Sequence, residues 1–248
     1  MNVEFAAVVL APGLAVGSFL NVVAARLPLN RSIVSPGSAC PSCDTAIAWY
    51  DNIPLVSYAV LRGRCRHCGV SISWRYPAVE AATAVLVACA ALKFGFSWEF
   101  LVAAVFCAVL VAISATDLER RIIPNRIVLP ATVVLLAAQT VLHPSVEWII
   151  AGIVAAAFFL LAALAYPGGM GMGDVKLALF LGVVLGRTVS VALMVGMLCA
   201  LVPSAVVLAK HGKAGRKMTI PFGPFLALGG LVALFAGHTI LNWYWGAA

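Results

Sequence analysis

Two short stretches place a carboxylate at the edge of a long apolar run. In "SATDLERRIIPN" Asp117 closes one run, and in "GMGDVK" Asp174 opens another. Ionisable groups near membrane depth are costly, so such placement in a chain that is only 10% charged marks both as candidates for chemistry. A pair of carboxylates can hydrolyse a peptide bond with neither a metal nor a covalent intermediate. One, ionised, activates water; the other, protonated, donates to the carbonyl oxygen or the leaving amine. Held close, the two share a proton, because like charges resist ionising together. Gly169, Gly171 and Gly173 ahead of Asp174 permit backbone conformations closed to other residues and let an extended peptide approach. Taken alone, each aspartate could instead cap a helix or pair with Arg120, Arg121, Arg126 or Lys176. Glu80, after "RYPAV", reads as an interfacial ion-pairing group.

A second constellation is sulfur. Cys40 and Cys43 in "CPSC", then Cys65 and Cys68 in "CRHC", have the spacing of a structural zinc ribbon. Asp44 and Gly69 follow the two pairs, as tight turns favour. Four protein ligands leave no open position, so such a zinc stabilises rather than catalyses. The alternatives are two disulfides or free thiols, and a reducing cytoplasmic location argues against disulfides. His67 is read as a bystander, and Cys89, Cys107 and Cys199, inside apolar runs, as packing.

The elements that must carry these groups are membrane helices. The chain has 248 residues and is 63% hydrophobic, against roughly 45–50% in soluble domains. Its apolar runs are long and non-alternating, which excludes a barrel. The expectation is an all-α polytopic protein with about eight transmembrane helices. They run over residues 3–25, 78–95, 98–116, 127–142, 147–166, 174–186, 188–209 and 222–245. The net charge of +7 does not indicate nucleic acid, because the basic residues fall in the connections. An outside N-terminus leaves only Lys93 and Arg187 opposite all the other Lys and Arg, which the positive-inside rule assigns to the cytoplasm. Asp117 and Asp174 then share that cytoplasmic face. Residues 1–25 form the first helix, 26–77 a small cytoplasmic zinc-binding domain, and 78–248 the membrane core that holds both aspartates. A segment the length of 26–77 cannot build a large core and needs a staple.

Together these residues resemble the bacterial prepilin peptidases, or type IV leader peptidases, a family of aspartic intramembrane proteases. The resemblance is carried by "GSFLNVVAARLP" (17–28), "CPSC" with "IAWYDNIPLVSY" (47–58), "LRGRCRHC" (61–68) and "SWRYPAVE" (73–80). It continues through "DLERRIIPN" (117–125), "GMGDVK" (171–176) and "IPFGPFLALGG" (220–230). It implies cleavage of the basic leader of type IV prepilins and pseudopilins at the cytoplasmic face of the bacterial inner membrane. Asp117 and Asp174 would be catalytic, with Gly171 and Gly173 in the active-site loop. It also implies N-methylation of the new N-terminal residue, commonly phenylalanine, with S-adenosylmethionine, because the cysteine-bearing segment is typical of the bifunctional members. No Rossmann-type glycine fingerprint places the methyl donor; Asp51, Asn52, Arg75 and Glu80 are candidates. Substrate helices would enter laterally from the membrane, shaped by Ser18, Asn21 and the Pro221/Gly223/Pro224 break. Arg64, Arg66, Arg120 and Arg121 would fix topology and contact anionic lipid, and Asp51, Glu80 or Glu119 would receive the basic leader. Two other readings stand beside this one: an ion- or proton-coupled transporter using paired aspartates, and a zinc-stapled membrane scaffold.

Overall fold

The computed structural model describes residues 2–165, 170–215 and 220–246. Gly169, Arg216 and Lys217 lie outside them. The described residues form helices joined by turns and irregular connections, with no extended strands. The helices are α1 (Asn2–Arg26), α2 (Val56–Val60), α3 (Arg75–Phe94), α4 (Trp98–Arg120), α5 (Asn125–Leu142), α6 (Glu147–Ala165), α7 (Met172–Leu185), α8 (Val189–Gly215) and α9 (Gly223–Trp245). All but the single-turn α2 are long, giving the expected eight.

Seven continuous stretches among the described residues are long and apolar enough to cross a bilayer, which makes this a multi-pass membrane protein. The count falls to seven because α7, a 3-10 turn at Gly186–Thr188 and α8 run together over 41 residues. At 1.5 Å per residue that is about 60 Å, twice a hydrocarbon core of roughly 30 Å. A glycine resolves the difference. Gly186 has φ +56, a left-handed conformation that breaks the helix, and Glu147 Oε1 accepts the N–H of Arg187 just beyond it at 2.9 Å. The two halves are therefore separate elements.

The chain divides into two compact units, residues 1–115 and 116–248. In the first, α1 packs along α3 through small residues. A Cβ added at Gly13 would lie 2.9 Å from the Ala84 Cα, and one added at Gly17 would lie 2.7 Å from the Glu80 Cα. Such seams let helix backbones approach where lipid supplies no hydrophobic drive between them. The connection from α1 to α3 carries the cysteines, two short 3-10 turns (Leu27–Leu29 and Trp49–Asn52) and α2.

In the second unit α7 is the buried element, with α5, α6 and α9 against it and α8 against α9. Gln139 of α5, itself buried, donates Nε2–H to the Val184 carbonyl at 2.7 Å. Polar groups inside such a bundle must be satisfied internally, and this bond does so while fixing α5 on α7.

Candidate functional site

Asp117 sits in the last turn of α4 and is 6% exposed. The helix ends where Arg121 turns to φ +54, its N–H bonding the Asp117 carbonyl at 2.8 Å. Ile122, Ile123 and Pro124 follow that turn, and Pro124 serves as the N-cap of α5. Asp174 is half-buried in the first turn of α7, with its N–H on the Gly171 carbonyl at 3.1 Å.

The two aspartate motifs interlock at two further points. Buried Ile123 lies against Gly173, where an added Cβ would fall 3.0 Å from the Ile123 Cβ. Lys176 Nζ donates to Asn125 Oδ1 at 2.8 Å. The end of α4 and the start of α5 are thereby tied to the start of α7, which places the Asp117 and Asp174 motifs side by side. A third element joins them: the Gly223 N–H, at the first turn of α9, donates to Asp117 Oδ2 at 2.8 Å. Sequence reasoning treated Gly223 only as part of a helix break. The reason for the glycines also differs from expectation. Gly171 has φ −81 and Gly173 is helical, so neither uses a conformation closed to other residues. Gly173 provides room for Ile123, and Gly171 is exposed beside Asp174.

In the first unit the four cysteine sulfurs lie within 4.8 Å of one another. The two CxxC segments repeat each other at an offset of 25 residues (39 to 64, 46 to 71), through antiparallel bridges Ala39–Ala46 and Arg64–Ser71. In each, the residue after the second cysteine has positive φ, +53 at Asp44 and +70 at Gly69, and its N–H bonds the first cysteine's carbonyl. Cys40 and Cys68 Sγ are 3.7 Å apart. A disulfide needs about 2.05 Å, whereas four sulfurs at about 2.3 Å from one ion stand roughly 3.8 Å apart along a tetrahedron's edges. The donor set therefore fits zinc. N–H groups of Cys68 and His67 pointing at the Cys65 sulfur bring that thiol down to about 6. Against the Val70 N–H, desolvation and the neighbouring cysteine sulfurs push Cys68 up to about 11, so the four ionise together only around a cation.

Residues 11–94 match the family model for the Bacterial Peptidase A24 N-terminal domain, and residues 104–208 that for the Type IV leader peptidase family. A curated relative from Bacillus subtilis, named prepilin leader peptidase/N-methyltransferase, is 37% identical over 238 residues, 94% of each chain. The chain belongs to the type IV leader peptidase family. Proteins of the same name from Burkholderia pseudomallei and Pseudomonas aeruginosa are 35% and 34% identical, covering 96% and 94% of this chain and 86% and 90% of theirs. No solved structure matches it.

Within this leader peptidase, the four residues weighed for the methyl donor are not one cluster of free groups. Asp51 receives Arg66 through two bonds, Nε to Oδ2 at 2.7 Å and Nη2 to Oδ1 at 2.6 Å, and the same guanidinium lies over the Tyr50 ring. Arg66 is thus committed to Asp51 rather than held open for lipid, and Asp51 is correspondingly less available to a basic leader. Asn52 is exposed and Arg75 half-buried. Glu80, expected to ion-pair at the interface, is buried and accepts the Leu55 N–H on Oε2 at 2.9 Å.

Proposed function

We propose that this membrane protein cleaves the leader peptide of type IV prepilins and pseudopilins and then N-methylates the residue so exposed. Family membership and the names of relatives aligned over nearly the whole chain support both activities. They leave the transporter and scaffold readings without a footing. Asp117 and Asp174 are assigned as the hydrolytic pair. The observation that carries this is the interlocking of their two motifs through Ile123–Gly173 and Asn125–Lys176, which joins residues far apart in the chain.

In the mechanism, one carboxylate takes a proton from a water as it attacks the scissile carbonyl, and the other donates to the carbonyl oxygen and then to the leaving amine. The Gly223 N–H keeps Asp117 in one orientation, which leaves Oδ1 for the water. Exposed Gly171 gives an extended substrate backbone room beside Asp174. The pilin's apolar helix enters laterally from the membrane, and cleavage takes place on the cytoplasmic side of the inner membrane. The methyl donor is S-adenosylmethionine, which supplies an electrophilic methyl group. Cys40, Cys43, Cys65 and Cys68 hold a structural zinc that folds the connection between α1 and α3. Membrane lipids surround the helices, and no nucleic acid is involved.

The test is prepilin cleavage by the purified protein beside Asp117→Asn and Asp174→Asn. Each variant should lose cleavage by at least about 100-fold, the usual worth of a positioned acid or base. Near-normal activity in either one would remove the paired mechanism.

A further inference from the structure

We propose that the seam between α1 and α3 binds the α-amino group to be methylated, with Glu80 taking its proton and Asn21 accepting a hydrogen bond from it. This rests on the reading above that the chain methylates the N-terminus it exposes. An α-amine has a pKa of about 7.7–8.0 and is mostly protonated at neutral pH. Its site therefore needs acceptors and a base.

The hydrolytic aspartates belong to the second unit, so the first unit's acids are the ones to consider. Glu4 and Glu99 lie at the far ends of their helices, away from the cysteine-bearing connection. Asp44 is exposed in a CxxC turn, and Asp51 is held by Arg66. Glu80 remains, 8% exposed. Close by is an orphan. Asn21 is 3% exposed and donates Nδ2–H to the Tyr76 carbonyl at 3.1 Å, while its Oδ1 is buried with no hydrogen-bond partner.

Register brings these two side chains together. Gly13 faces Ala84, Gly17 faces Glu80 and Asn21 faces Tyr76, so α1 and α3 run antiparallel. Helical side chains lean toward their own N-terminus. Asn21 therefore leans toward the level of Glu80, and Glu80 toward the level of Asn21. The site offers a carboxylate and an amide oxygen, both acceptors, which is the chemistry that recognises an ammonium. The carboxylate is itself fixed, because Leu55 (φ +59) sits at the centre of a γ-turn closed by Val56 N–H to the Pro54 carbonyl, and donates to Oε2. Oε2 is thereby committed to the backbone, and the amine is assigned to Oε1.

The step balances. The ammonium gives one proton to Glu80, and the freed nitrogen lone pair forms a bond to the methyl carbon of the sulfonium donor. The carbon–sulfur bond breaks with its electron pair on sulfur, leaving a neutral thioether and a methylated ammonium. Glu80 then returns its proton to water.

The experiment uses purified full-length enzyme, a mature pilin peptide beginning with phenylalanine, and labelled S-adenosylmethionine. Glu80→Gln keeps an oxygen for the Leu55 N–H, so a purely structural role would survive it. The expected result is methylation slowed about 100-fold at pH 7 and recovering as pH rises and the amine deprotonates unaided. Leader cleavage is followed in parallel as a report on folding. Methylation at the wild-type rate, or a deficit that pH does not repair, overturns the proposal. Should Glu80→Gln fail to fold, Asn21→Ala decides: wild type should bind the free-amine peptide in preference to its N-acetylated form, and a variant keeping that full preference also overturns it. A wild-type enzyme that cleaves but never methylates refutes the two-activity reading itself, and this assignment falls with it.

Discussion

The Gly223 N–H reaches Asp117 Oδ2 at 2.8 Å across a sequence separation of 106 residues, from the first turn of α9 to the last turn of α4. A Cβ on residue 223 would stand 2.8 Å from that same oxygen. Gly223→Ala must therefore turn the carboxylate or push α9 away. Displacements near 1 Å in a catalytic geometry cost about 100-fold. The expected outcome is a kcat for leader cleavage lowered by about that factor, read against methylation of a pre-cleaved peptide, which should persist. Unchanged cleavage would mean that the bond is incidental.

Gly173 and Ile123 make a second, independent wedge. Gly173→Ala places its Cβ 3.0 Å from the Ile123 Cβ, a contact tight enough to spread the two aspartate motifs. Ile123→Ala alone opens a cavity, at a cost of about 2–5 kcal/mol for a buried aliphatic side chain. Combined, the two changes should offset each other, with cleavage higher in the double variant than in Gly173→Ala. Neighbouring residues that share one space couple by about 0.5–3 kcal/mol. Strict additivity in cleavage rates would show that the two do not share one space.

How much of this the sequence discloses follows from range. Helix existence is written in apolar runs, so the eight long helices stand where composition puts them, and α7 begins two residues and ends one residue before the expected 174–186. The CxxC spacing is local as well, and both repeats close as their turn residues suggest. Gly223 on Asp117 is not local, and no periodicity connects positions 117 and 223. Leu55 on Glu80 is hidden for the same reason, since a backbone N–H leaves no mark in side-chain letters. Glu80, read in the sequence as an interfacial ion-pairing group, instead caps that backbone donor.

The Asp51–Arg66 pair makes a prediction in pH. The bidentate Arg66 bonds hold the Asp51 carboxyl below the usual carboxylate range. A depressed folded-state value means the pair's stabilisation is present above the unfolded value of about 3.9 and is lost as pH falls through the lower, folded one. The Arg66 side chain is 46% exposed though that of Asp51 is only 10%, so solvent screens the pair from the arginine side and the effect on stability is small. The carboxyl carbon shift of Asp51 should titrate below its model-peptide position and move back up in Arg66→Met. A normal titration in the wild type would dissolve the pair.

Metal removal tests the first unit. Because four sulfurs within 4.8 Å of one another repel as thiolates unless a cation sits among them, the bound ion's free energy becomes folding free energy for residues 26–74. One zinc per chain is expected, with X-ray absorption giving sulfur neighbours at about 2.3 Å. Cys40→Ser or Cys65→Ser should release the metal and open this connection to proteolysis, while the helices of the second unit stay protected. Methylation should fall further than leader cleavage, because the γ-turn at Leu55 that holds Glu80 lies between the two cysteine pairs. If absorption instead showed sulfur–sulfur neighbours near 2.05 Å and no metal, the 3.7 Å spacing of Cys40 and Cys68 would need another explanation. The coupling from cysteines to Glu80 would then have no basis.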